Sequence, residues 1–255
     1  MGEPMLLSEL SFNEKVLEDY KEWIGQVKEN GVFGFVHIKN HKIVGIRNRE
    51  NNPIFYLYPE LEGVTFSFNE GILVAEIVVF KNNKSVFYGG IDHRRKRKVD
   101  TENPVTLVIH DILKLDDKIV VMLPYKERYG LLQANIKDEM FVKLAINYSP
   151  TELWELVVKN DLEGLVLKNP LAPYEIACRS KNYIKIKNYK TAEMVVDKVE
   201  ENPKGTKVYG KSLINENEID CEVQIGGKFN ITAGEIIRIK YLDMCGNRLI
   251  QPTKV

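Results

Sequence analysis

Apolar residues recur along this chain with two periods, one near 3.6 residues and one of two, and the changes of period divide it into elements. Ser11-Phe12-Asn13-Glu14 reads as a capping box, and Val16, Leu17, Tyr20 and Trp23 follow at helical spacing, so a short first helix is predicted. From Ile24 the pattern is that of strands. Ile24 to Glu29 and Val32 to Ile38 flank Asn30-Gly31, a pair that tolerates the positive φ of a tight turn, and together they read as strand, turn, strand. Ile43 to Arg49, Gly71 to Phe80 and Val105 to Leu113 are further strands, the last apolar enough to be central in a sheet. Pro124 opens a predicted helix through Leu132, and Ser149-Pro150-Thr151-Glu152 caps another that ends near Asn160-Asp161. Glu163 to Lys168 and Tyr183 to Lys187 are strands again.

After Tyr189 the texture shifts. Ala192 to Val199, Thr206 to Tyr209, Ile219 to Ile225, Phe229 to Thr232 and Ile236 to Tyr241 are short strands separated by Gly, Asn and Pro. Five such strands suit a small Greek-key barrel of the OB type. The chain is therefore expected to be α+β, with one domain over 1–189 built from antiparallel sheets with helices, and an OB-type β-barrel over 190–255.

Composition narrows the class. At 255 residues with 44% hydrophobic content, the chain can bury a sizeable core. No apolar run reaches the ~20 residues of a membrane span, and the first residues lack a basic stretch followed by an apolar one, so neither membrane insertion nor secretion is expected. Three well-separated cysteines, with no Cys-x-x-Cys, suggest a reducing compartment and no zinc site. The 36 basic and 36 acidic residues cancel, yet they are not evenly spread. Arg94, Arg95, Lys96, Arg97 and Lys98 form one run, and Lys181, Lys185, Lys187 and Lys190 a second cluster. Each reads either as a solvated surface or as an anion contact.

Several polar residues sit where the pattern is otherwise apolar. Lys28 precedes the Asn30-Gly31 turn. Arg47 and Arg49 end a strand. Glu76 lies inside Leu73 to Phe80, either on the exposed side of a half-buried strand or paired or metal-bound. His110-Asp111 and Glu163 stand in or beside strongly apolar strands. Lys185 and Lys187 are two apart on a strand, so they project to one face, where like charges are relieved by an anion such as a polyphosphate.

Taken in order, these segments resemble the superfamily of ATP-dependent DNA ligases, RNA ligases and mRNA capping enzymes. Its series is Lys-x-Asp-Gly, an arginine strand, a glutamate strand, a strand ending in Asp, Glu-Gly-x-x-x-Lys, and Lys-x-Lys. Here it reads Lys28 to Gly31, Arg47, Glu76, Val105 to Leu113 with Asp111, Glu163 to Lys168, and Lys185 with Lys187. Within the superfamily, three stretches are similar to DNA ligases: Glu127-Arg128-Tyr129-Gly130-Leu131-Leu132, Tyr174 with Arg179-Ser180, and the closing strands around Gly234 to Tyr241 and Arg248 to Pro252. The third motif position is Asn30 rather than Asp, and Phe33 stands where DNA ligases usually carry arginine.

The resemblance implies a nucleotidyltransferase domain, ATP-grasp-like in build, followed by the OB-type barrel. It implies that Lys28 attacks the α-phosphorus of ATP, with Gly31, Arg47, Glu76, Glu163, Lys185 and Lys187 binding the nucleotide. Glu76 and Glu163 would also hold Mg2+ or Mn2+. The product would be an AMP-lysine, whose AMP passes to a 5′ phosphate before a 3′ hydroxyl displaces it. Nicked duplex DNA is the expected partner, with RNA as the alternative and a non-catalytic nucleic-acid-binding relic as a further one. Arg94, Arg95, Arg97, Lys98 and Arg179 would contact its phosphates. A monomer in the cytoplasm or on the nucleoid is expected.

Overall fold

The structure is a computed structural model and describes residues 3–86, 104–214, 216–245 and 248–255. The chain divides into two compact units, Met1–Ile186 and Lys187–Val255. Each is built around its own apolar cluster.

The strands of the first unit, in chain order, are β1 (Leu6–Leu10), β2 (Ile24–Val27), β3 (Val32–Lys39), β4 (Lys42–Arg47), β5 (Glu70–Lys81), β6 (Lys84–Ser85), β7 (Val105–Leu115), β8 (Lys118–Ile119), β9 (Val142–Leu144), β10 (Gly164–Lys168) and β11 (Arg179–Lys187). Its helices are α1 (Glu14–Asp19), α2 (Tyr125–Asn135) and α3 (Pro150–Lys159). Two sheets result. One has the order β1-β11-β10-β2; the other runs β4-β3-β5-β7-β8, with β6 paired to β5 and β9 to β7. The sheets are not wholly antiparallel as the sequence suggested: β1 runs parallel to β11, and β9 parallel to β7.

β5 and β7 are central in the larger sheet because their apolar runs are buried on both faces. Leu73, Ile77, Leu107 and Ile109 have no exposed surface. The smaller sheet buries its other face under α3. There Leu153 and Val157 pack with Leu165, Leu167, Ile184 and Ile186. Ser149 caps α3, its hydroxyl accepting from the Glu152 N–H, and Pro150 takes the first position, as the sequence predicts. The cap of α1 is Asn13 rather than Ser11; its side-chain oxygen accepts from the Val16 N–H at 2.9 Å.

The Asn30-Gly31 hairpin does not form. β2 pairs with β10, while β3 pairs with β4 and β5, so residues 28–31 cross from one sheet to the other. Neither Asn30 nor Gly31 takes a positive φ. Gly31 is required for a different reason. A Cβ there would lie 2.3 Å from the Ile77 carbonyl oxygen, so only glycine lets the crossing chain lie against β5.

The second unit holds β12 (Lys190–Asn202), β13 (Gly205–Ile214), β14 (Asn217–Ile225), β15 (Ile236–Tyr241), β16 (Asp243–Cys245), β17 (Arg248–Ile250) and β18 (Thr253–Lys254). Five strands form one sheet in the order β14-β13-β12-β15-β18, and β16-β17 form a separate ribbon. β14 shows why: Ile219, Cys221, Val223 and Ile225 are buried, while the residues between them are exposed, which is the period of a one-sided sheet. The segment Phe229 to Thr232, expected as a strand, is not one. No described helix is long and apolar enough to cross a membrane.

Candidate active site

Lys28 is the first residue of the crossing segment. Its backbone N–H donates to the Gly164 carbonyl at 2.9 Å, and its ammonium donates to Glu163 Oε1 at 2.5 Å. The Glu163 side chain is only 8% exposed, so this is a desolvated ion pair. Gly164 makes the approach possible: its φ of 151° is a conformation that side chains disfavour. A lysine early in the chain and a glutamate just before the remote strand β10 are thus brought into contact.

Glu76 joins them from β5. It pairs across the sheet with Phe33 of β3. Burial pushes its pKa up to about 7, the Lys28 and Arg49 cations pull the other way, and Glu163 and Glu29 add to the rise. Glu29, beside Lys28, is likewise raised, chiefly by burial, while a hydrogen bond from Ser85 opposes the rise. The amine is therefore in contact with Glu163 and within electrostatic reach of Glu76 and Glu29.

Of Arg47, the last residue of β4, and Arg49 just beyond it, the second reaches this cluster. Arg49 lies over the Phe33 ring, 5.8 Å from its centroid, and within electrostatic reach of Glu76. Arg47 instead donates to the Asn51 carbonyl at 2.9 Å, closing its own turn. No signal in the sequence separates them, because β4 ends at Arg47 and the alternation of faces ends with it.

The same unit holds a buried polar network. Lys168, 3% exposed, donates to the carbonyl of His110 at 2.8 Å and sits over the Tyr125 ring at 4.4 Å. His110 occupies a β-bulge of β7, where the register against β5 shifts between Val74 and Ala75. Burial lowers the Lys168 pKa to about 7, with Asp111 opposing and Arg128 reinforcing the shift. Burial also lowers the His110 pKa to about 3, again with Lys168 reinforcing. Gln26, on β2 two residues before Lys28, is 2% exposed and donates to Asn147 Oδ1 at 2.9 Å. Asp111 does not face the amine: it forms a fully buried pair with Arg128 of α2.

The lowered Lys168 pKa has a sign that can be tested. Between about pH 7 and pH 10.5 the unfolded chain binds a proton that the folded chain refuses, so stability falls as pH drops through that window and levels off below it. Lys168→Met, which cannot titrate, is expected to gain on wild type over that interval by up to roughly 1.4 kcal/mol per pH unit. Urea denaturation at a series of pH values measures it; parallel stability curves would refute the shift.

Lys185 lies on β11, the neighbour of the β10 strand that follows Glu163, and pairs with Glu9 of the adjacent β1 at 3.0 Å. Lys187 begins the second unit, where it donates to Gln251 Oε1 at 2.8 Å. Arg179 is exposed and donates to the Leu7 carbonyl at 2.5 Å. Arg94, Arg95, Arg97 and Lys98 lie outside the described residues. Among the described residues no three His, Cys, Asp or Glu are grouped as a metal site.

The family described as the ATP dependent DNA ligase domain matches residues 4–187. Among curated proteins, the DNA ligase of Nitrosopumilus maritimus (strain SCM1) is 28% identical over 200 residues, 72% of this chain and 34% of that protein. The probable DNA ligase of Dictyoglomus thermophilum (strain ATCC 35947 / DSM 3960 / H-6-12) is 29% identical over 73% of this chain and 35% of that protein. The SPbeta prophage-derived DNA ligase-like protein LigB of Bacillus subtilis (strain 168) is 25% identical over 76% of this chain and 70% of that protein. The chain thus spans about a third of the length of the first two. Among solved structures, a Lig E DNA ligase described as DNA binding with a minimal scaffold superposes with a TM-score of 0.64 at 14% identity, covering 100% of this chain and 98% of that one. A mycobacterial DNA ligase D complexed with ATP and MES gives 0.62 at 14% identity, covering 98% and 93%. At such identity these two speak for the fold, and the match over residues 4–187 speaks for descent. The chain belongs to the ATP-dependent DNA ligase domain family.

Proposed function

We propose that this chain seals nicks in duplex DNA, using ATP and a covalent AMP on Lys28. The observation that carries this reading is the contact of the Lys28 amine with Glu163, with Glu76 and Arg49 around it. An amine must be neutral to attack phosphorus, and Glu163 is the group in reach to accept its proton. Lys28 Nζ then bonds to the α-phosphorus as pyrophosphate leaves. The AMP passes from Lys28 to the 5′ phosphate of the nick, and the 3′ hydroxyl displaces it.

Arg49 suits phosphate oxygens better than Arg47, since its guanidinium lies at the cluster. Lys185 and Lys187, two apart on β11, would add charge to the transferring phosphate. A divalent cation fits the donor set. Glu76 and Glu163 would supply two carboxylates, with phosphate and water completing the shell, as Mg2+ prefers. Such a cation would neutralise charge on the phosphates. Residues 190–255 would act as an OB-type barrel on the duplex, with Arg179 and the Arg94 to Lys98 run on its backbone. The chain is proposed to work as a monomer in the cytoplasm or on the nucleoid.

The test is incubation of the full chain with α-labelled ATP and Mg2+, denaturing electrophoresis, and then addition of nicked duplexes. A labelled protein band and sealed DNA are expected. Faster sealing of nicked RNA would move the substrate to RNA, and a chain that binds DNA but never labels would be a binding relic.

A further inference from the structure

The two residues of β6, immediately after the long β5, are tied to both loops that meet at the amine. Ser85 is 7% exposed. Its hydroxyl oxygen accepts from the Asn30 N–H at 3.0 Å, and it is hydrogen-bonded to the Glu29 carboxyl. Lys84 forms an ion pair with Asp161 at 3.0 Å. Asn30 stands two residues after Lys28, and Asp161 two residues before Glu163. Asp161 is held at a φ of 51°, a left-handed conformation that a non-glycine residue adopts at some cost. Along residues 28–31 the Lys28 N–H is held by the Gly164 carbonyl and the Asn30 N–H by Ser85, so the Ser85 tie fixes the end of the segment away from β10.

We propose that Lys84 and Ser85 form a brace that keeps Lys28 and Glu163 in register: Ser85 fixes the nucleophile's loop and Lys84 fixes the loop of its carboxylate partner. Neither side chain touches the reacting atoms; both are positioning residues. The proposal rests on the lysyl-adenylate reading and adds the means by which the amine is aimed. Aim matters because a displacement of about 1 Å can cost ~10²-fold in rate. A hydroxyl that serves a backbone N–H and a carboxyl at once is a natural fixing point, since it can accept and donate together.

A matched pair of variants tests it. Ser85→Thr keeps the hydroxyl, and Ser85→Val has the same shape without it. The rate of AMP transfer to the full chain is measured against ATP concentration. Ser85→Val is expected to lose about tenfold in kcat with KM for ATP within about twofold, while Ser85→Thr stays near wild type. Lys84→Met should lose less, roughly twofold to threefold, because its ion pair is partly exposed. Equal rates for the valine and threonine variants would overturn the brace, as would a loss confined to KM. A second readout does not need catalysis: acetylation of the Lys28 amine by acetic anhydride, followed by peptide mass spectrometry. It should rise about threefold or more in Ser85→Val and stay unchanged in Ser85→Thr. If wild type never takes up AMP, the adenylate reading fails, and the acetylation contrast still decides the brace. Ser85→Ala supplies the same comparison should the valine chain not fold.

Discussion

Lys28→Ala is expected to remove covalent AMP uptake altogether, a loss of at least about 10⁴-fold, because no other group stands in for a missing nucleophile. Lys28→Arg should fail as badly. A guanidinium stays protonated at any working pH and has no free electron pair to offer phosphorus. The control that separates chemistry from folding is a nick whose 5′ phosphate already carries AMP. Sealing it needs only the attack of the 3′ hydroxyl, so both variants should retain measurable activity there. Glu163→Gln should fall between them and wild type, keeping a hydrogen-bond partner for the amine but not a proton acceptor. Denaturing electrophoresis with α-labelled ATP reads the first step, and a gel shift of labelled DNA reads the last. A labelled band that persists in Lys28→Ala would place the nucleophile elsewhere.

Residues that stand alone against an apolar background were the most legible. Glu76 inside an apolar run and Glu163 at the head of one were visible because burying a carboxyl without a partner is costly, and the structure brings both towards Lys28. The strands of the larger sheet were legible for a similar reason, since continuous apolar runs mark strands covered on both faces. What failed was anything decided by a distant partner. Asn30-Gly31 carries the strongest short-range hairpin signal, yet β2 takes its partner from β10, far along the chain. Ser85 gave no signal, because its role exists only once the segment around Asn30 lies against β5. The strand expected over Ile43 to Arg49 ends at Arg47, and the Arg49 guanidinium, beyond its end, lies over the Phe33 ring.

The pair Asp111 and Arg128 shows the same limit in energetic form, and it supplies the largest expected change in stability. Both side chains are at most 1% exposed. Arg128 Nε donates to Asp111 Oδ1 at 2.8 Å and Nη2 to Oδ2 at 2.9 Å, a bidentate pairing of fork and carboxylate. The remaining donors go to the Tyr183 hydroxyl and to the Leu123 and Ala172 carbonyls, so the guanidinium ties α2, β7, β11 and two loops at one point. Burial works against its charge, but Asp111 outweighs that and raises its pKa. Removing one partner leaves the other charged in a dry interior, which costs about 3–5 kcal/mol. Arg128→Ala and Asp111→Ala are each expected to lose that much. Replacing both together, by Met and Leu, should cost clearly less than the sum, because no orphan charge remains. The two tryptophans, Trp23 and Trp154, both lie in the first unit, so their fluorescence in urea follows that unit. Single variants as stable as wild type would mean that water reaches the site and that the interior is not dry. Losses that simply add in the double variant would mean that packing, rather than the unpaired charge, sets the cost.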